Sequence, residues 1–87
     1  MLTREQIYEQ VVLICKDYDF DGEPVKITSL DEGLYSDLKL DSLAVVEIIM
    51  LCEHQFGVFF ESEEIQQVKT VNDLITAIYN KLDYAEY

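Results

Sequence analysis

The chain has 87 residues, which suits one domain with a single compact core and leaves no room for a second. Eighteen Asp and Glu stand against six Lys and Arg, a net charge of -12 with His54 neutral. That balance disfavours nucleic acid and anionic membrane surfaces as partners and speeds encounter with basic ones.

The two cysteines, Cys15 and Cys52, lie far apart with no CxxC and no histidine cluster. They read as small buried apolar residues, not as zinc ligands or a disulfide scaffold. The opening residues lack a basic segment followed by an apolar one. The longest apolar run, Leu43 to Cys52, is interrupted by Glu47 and too short to cross a bilayer. The expectation is a soluble, cytoplasmic monomer.

The first predicted helix runs from about Arg4 to Tyr18, with Thr3 as N-cap and Gln6 completing a capping box. Ile7, Val11, Ile14, Cys15 and Tyr18 recur at helical spacing and form its apolar face. The stretch DFDGEPVKITSLDEG then reads as a long loop, because Gly22, Pro24 and Gly33 punctuate it. Val25, Ile27, Leu30, Leu34 and Leu38 are its expected core anchors, with room for a short helical turn around Asp31 to Tyr35.

The second helix is predicted to begin at Asp41 or Ser42 and to end at Phe56-Gly57, with Asp41 as N-cap and Gly57 as the left-handed terminator. Its apolar residues wrap most of the way round. Val45, Ile48, Ile49 and Cys52 form one stripe, suited to the core; Leu43, Val46 and Met50 form another, flanked by Glu47 and Glu53. The second stripe is expected to stay at least partly exposed unless a partner covers it, the alternative being contact with the long loop.

GVFF is too short and isolated to build a sheet. SEEIQQV fits a short helix capped by Ser62, with Glu63 and Glu64 near its positive end. The last helix is KTVNDLITAIYNKL, with Thr70 as N-cap, Asp73 in an acidic capping box, and Val71, Leu74, Ile75, Ile78 and Leu82 facing inward. Asp83 to Tyr87 should fray. The expected fold is all-α: a small irregular four-helix bundle of three main helices and one short one, with a long first loop, spanning 1–87 as one domain.

Enzyme chemistry is poorly represented. His54 lies twelve residues beyond Ser42, about 18 Å along a helix axis, too far for a serine–histidine pair. The segment DFDGE lacks the ligand spacing of a calcium loop, and no glycine-rich phosphate cradle is present. His54 reads as a solvated helix residue. From Leu40 to Val68 there is no Lys or Arg, while Asp41, Glu47, Glu53, Glu61, Glu63 and Glu64 are acidic. Solubility alone explains so unbalanced a stretch less well than partner recognition does.

The segment DLKLDSLAVVEIIMLCEHQFG resembles the acyl carrier protein family. Asp37 and Leu38 match its upstream pair, Asp41, Ser42 and Leu43 its Asp-Ser-Leu triplet, Val46 and Glu47 its central step, and Phe56-Gly57 its exit. Met50 and Glu53 match further positions that such proteins present to partners; Ile65, Thr70 and Val71 fall where the family has its third helix and the start of its fourth. The resemblance extends from about Thr3 to Leu82.

It implies a non-catalytic carrier with 4'-phosphopantetheine attached to Ser42 through a phosphodiester, holding acyl groups as thioesters, with Asp41 and Leu43 beside the attachment. First-turn amides and the positive end of the helix favour a phosphate at such a serine. The resemblance also implies docking through Leu43, Val46, Glu47, Met50 and Glu53. The partners would be phosphopantetheinyl transferase, acyl transferases, ketoacyl synthases and related enzymes with basic surfaces, with no metal.

The chain departs from the common pattern at Ala44, where many bacterial fatty-acid carriers are acidic, at Lys39-Leu40 in place of a Gly-Ala-like pair, and at Phe59-Phe60-Glu61 in place of an aliphatic-Pro step. Three readings stand: a carrier for fatty-acid biosynthesis, a carrier dedicated to polyketide, aminoacyl or other secondary products, and an unmodified adaptor. Fatty-acid biosynthesis is the leading expectation, and gene neighbourhood would separate it from the second reading.

Overall fold

The structure is a computed structural model that describes residues 2–85. Its elements in chain order are α1 (Arg4–Lys16), β1 (Asp19–Phe20), β2 (Glu23–Pro24), α2 (Ser42–Phe56), α3 (Ser62–Gln66) and α4 (Val71–Ala85). The expected three long helices and one short one are present, and the fold is a small all-α bundle. The core joins Ile7, Val11 and Cys15 of α1 to Val45, Ile48, Ile49 and Cys52 of α2 and to Val71, Leu74, Ile75 and Ile78 of α4. Burying each large aliphatic side chain contributes about 1.5–3 kcal/mol before the entropy of ordering the chain is subtracted.

Local signals set most helix ends. Thr3 and Gln6 form the capping box of α1, and Asp73 accepts the Thr70 N–H at 3.1 Å while Thr70 Oγ1 accepts the Asp73 N–H at 3.0 Å. Helix α2 begins at Ser42 behind Asp41 and stops at Gly57, whose φ of 69° is left-handed. Three boundaries differ from expectation. Helix α1 ends at Lys16, short of Tyr18, because the chain turns into the hairpin; the Tyr18 and Val25 N–H groups both donate to the Cys15 carbonyl. The cap of α3 is Glu61, not Ser62, with the Glu61 N–H donating to the Glu64 carboxylate at 2.8 Å. Helix α4 runs on through Ala85, past the point where fraying was expected, and the rest of that tail, residues 86–87, lies outside the described residues.

The long first connection contains a two-stranded antiparallel hairpin, with Asp19 opposite Pro24 and Phe20 opposite Glu23. Asp21 and Gly22 turn it with φ of 55° and 82°, the pair of positive values that an Asp-Gly hairpin turn uses. Beyond it, Val25, Ile27 and Leu34 are buried as anticipated, but Leu38 is half-buried and Leu30 is 40% exposed. Leu40 takes the remaining core position at 4% exposure. Leu30 contributes its backbone instead, its carbonyl accepting the Asn72 N–H at 2.9 Å, while Glu32 accepts the Val71 N–H at 3.0 Å. The loop thereby satisfies first-turn amides of α4 that the helix itself leaves open. No helix forms at residues 31–35, but a single turn closes slightly later than expected, the Asp37 and Leu38 N–H groups both donating to the Gly33 carbonyl at 3.0 Å, and Gly33 makes a single bridge to Thr70.

Candidate functional site at the start of the second helix

Helix α2 presents its first turn to solvent. Asp41 Oδ1 accepts the Ala44 N–H at 2.8 Å and the Asp41 carbonyl accepts the Val45 N–H at 3.1 Å, so the cap fixes the helix start while Ser42 sits exposed just inside it. The N–H groups of Ser42 and Leu43 are first-turn amides that no intrahelical carbonyl can serve. A phosphate esterified to Ser42 would meet those amides and the positive end of the helix. Leu43 is 66% exposed beside it. An exposed hydroxyl, free helix-end donors and an apolar neighbour fit a phosphopantetheine phosphodiester.

Further along α2, Val45, Ile48, Ile49 and Cys52 lie in the core. On the other side, Met50 is 58% exposed and Val46 half-buried, so the long loop does not cover the outward stripe. The two acidic residues flanking that stripe differ. Glu47 is exposed, and the Tyr18 hydroxyl donates to its carboxylate. That bond, followed by partial desolvation and the charges of Glu47 and Asp41, pushes the Tyr18 hydroxyl up to about 12, so it remains a neutral donor at ordinary pH. Glu53 is half-buried and its Oε2 accepts the Phe60 N–H at 2.8 Å. One of its oxygens therefore holds the loop after α2 instead of facing outward.

Exposed apolar residues that were not anticipated include Leu51, 45% exposed, Leu13, 58% exposed, and Phe59, 67% exposed next to buried Phe60. The all-round apolar character of α2 carried a signal for Leu51, which lies one turn beyond Glu47. No local signal exists for Tyr18, because its partner is 29 positions away. His54 is exposed, as expected. Cys15 and Cys52 are buried and unpaired, and burial pushes each thiol up to about 12. Among the described residues no cluster of His, Cys, Asp and Glu is built to hold a metal, and no helix is long and apolar enough to cross a membrane.

Comparison with known proteins places this geometry in context. Residues 13–78 match the family described as a phosphopantetheine attachment site. The chain is 37% identical over 81 residues to an acyl carrier protein of Coprothermobacter proteolyticus, covering 93% of this chain and 96% of that one. It is 34% identical over 83 residues to an acyl carrier protein of Petrotoga mobilis, covering 94% of each. The crystal structure of an acyl carrier protein from Thermotoga maritima superposes with a TM-score of 0.82 at 25% identity, covering 95% of this chain and 94% of that one. With its exposed helix-opening serine and this agreement along nearly its whole length, the chain belongs to the acyl carrier protein family, as a non-catalytic carrier whose cofactor is covalent 4'-phosphopantetheine.

Proposed function

We propose that Ser42 is the attachment residue and that the chain, acting as one cytoplasmic carrier unit, holds acyl intermediates for fatty-acid biosynthesis. The observation that carries the site is the exposed Ser42 hydroxyl at the capped start of α2. The arm, when bound, supplies a terminal thiol that holds the acyl group as a thioester. The protein's own residues would hold the other end: Asp41 sets the helix start, the first-turn amides of Ser42 and Leu43 would favour the phosphate, and exposed Leu43 would offer an apolar contact beside it. Phosphopantetheinyl transferase, acyl transferases and ketoacyl synthases would dock on the adjacent outward stripe of Leu43, Val46 and Met50. Glu47 and Asp41 attract their basic residues through solvent, and Glu53 lends charge at the rim from its place against the loop.

Incubation with a phosphopantetheinyl transferase and coenzyme A tests the site directly. Intact-mass measurement should show a single phosphopantetheine added to the wild type and none to Ser42→Ala, with both proteins equally helical. Modification of the alanine variant would remove Ser42 from the role. Reconstitution with fatty-acid elongation enzymes then tests the pathway: failure of the modified protein to accept acyl groups there would point to a dedicated carrier.

A further inference from the structure

The Val25 N–H donates to the Cys15 carbonyl at 3.1 Å, which lays the chain leaving β2 alongside the C-terminal half of α1. In that run Val25 and Ile27 are each 6% exposed, and Lys26 between them is exposed. On the helix, Val12 is half-buried and Lys16, one turn later on the same face, is exposed. The two segments leave a groove of about 390 Å³ lined by Val12, Lys16, Pro24, Val25, Lys26 and Ile27. Its walls are apolar, and its only charged lining residues are two lysines. Asp17 and Glu23, adjacent in sequence to lining residues, do not themselves line it, and among the described residues neither lysine is paired with a carboxylate. Larger grooves elsewhere do carry carboxylates: Glu64 and Asp73 between α3 and α4, and Asp21, Glu23, Glu32 and Asp37 beside the hairpin. In a chain with eighteen Asp and Glu against six Lys and Arg, a groove with two cations and no acid runs against the composition.

We infer that this groove binds a medium-chain fatty carboxylate, with the alkyl chain against Val12, Pro24, Val25 and Ile27 and the head at the ammonium groups of Lys16 and Lys26. The walls hold no side-chain hydroxyl or amide to orient a polar body, so the body that fits is hydrocarbon. The lysine stems extend the apolar surface while their charged ends stay in water, where they meet a carboxylate through charge-assisted hydrogen bonds. The volume stands at the small end of ligand pockets, which run from about 300 to 1,000 Å³, and suits one alkyl chain better than a partner helix with its row of anchors. A net charge of -12 repels anions in general, so a site for one has to be made by local cations, as it is here. The groove shares no residue with the start of α2, and filling it requires no phosphopantetheine. It is therefore a second site, independent of the carrier reading above.

Hexanoate, octanoate and decanoate are titrated into the unmodified chain at pH 7, below the concentrations at which they aggregate, while methyl resonances are followed by NMR; octanol serves as the neutral comparison. Shift changes should saturate and concentrate on the methyl groups of Val12, Val25 and Ile27. Affinity should rise about fourfold for each methylene that enters the groove and level off once the groove is full. Lys16→Gln with Lys26→Gln should weaken octanoate about tenfold and leave octanol unchanged. Lys39→Gln with Lys69→Gln makes the same change in net charge elsewhere and should bind octanoate as the wild type does. Equal losses from the two lysine pairs would reduce the effect to net charge and overturn the inference. So would shifts centred on Leu43, Met50 or Leu51, which would mark general adsorption to exposed apolar side chains, and so would the absence of saturable binding. Because the chain is tested without its arm, any of these failures leaves the carrier reading untouched.

Discussion

The carboxylate of Glu53 accepts the backbone N–H of Phe60 at 2.8 Å, linking the last turn of α2 to the residue that plugs the core ahead of α3. The Phe60 ring is buried, and Lys81 lies over it at 5.7 Å. Glu53→Ala leaves the Phe60 N–H without its acceptor and should destabilise the fold by about 1–3 kcal/mol in urea unfolding. Glu53→Gln keeps an acceptor oxygen and should lose less. Identical midpoints for the alanine variant and the wild type would show that the bond adds nothing to the stability of the fold.

The outward and inward stripes of α2 should separate cleanly on mutation. Met50 is 58% exposed and Ile49 beside it 1% exposed. Met50→Ala should change unfolding free energy by no more than about 0.5 kcal/mol, while Ile49→Ala should cost about 2–5 kcal/mol. In partner titration the ranking should invert: Met50→Ala loses affinity by about 1 kcal/mol or above, as a central contact does. A strongly destabilised Met50→Ala would return that side chain to the core.

How much of this could be read from the chain depended on range. The boundaries of α2 and the start of α4 were legible because Asp41, Gly57, Thr70 and Asp73 act on amides within a few positions. The position of Ser42 at the start of α2 was legible for the same reason, while the role proposed for it came from the resemblance of the surrounding segment to the family. The hydrogen bonds of Tyr18 and Glu53 were not legible, since their partners lie 29 and 7 positions away, beyond the reach of a local capping pattern. Leu30 misled because apolarity marks a side chain for burial, whereas its carbonyl was the part the fold used. The Asp-Gly hairpin signal was present, but strands of two residues leave no alternating pattern to read.

Acid should weaken the junction between α3 and α4 in a defined sense. Glu64 is held below its ordinary value of 4.5, first by the Glu61 N–H and then by Lys81, whose Nζ is 2.9 Å from Glu64 Oε1. A lowered folded-state value contributes stability that is complete above the unfolded value and is lost as pH falls through the folded one. The difference in melting temperature between the wild type and Glu64→Gln should therefore be largest well above pH 4.5 and shrink on acidification below it. A difference that grew on acidification would reverse the assignment.

Thiol chemistry should distinguish the loaded carrier from the bare chain. Cys15 and Cys52 are 1% and 0% exposed, with both thiols pushed up to about 12, so neither offers a thiolate to reagents in the native state. The unmodified protein should consume a thiol reagent only at the rate of unfolding. The phosphopantetheine-bearing form should show one fast-reacting thiol, and Ser42→Ala none under any loading conditions. Fast labelling of the unmodified native protein would mean that the α1–α2 core opens locally.

A surface carrying Leu13, Leu43, Met50, Leu51 and Phe59 in the open would ordinarily drive molecules of this size together. The net charge of -12 supplies mutual repulsion that opposes such contacts. Apolar exposure and acidity thus form a colloidal pair, in which the charge keeps copies apart and would be cancelled locally by a surface of opposite sign. Near the sequence pI of about 4.1 that protection vanishes, and the exposed apolar side chains become contacts between identical molecules.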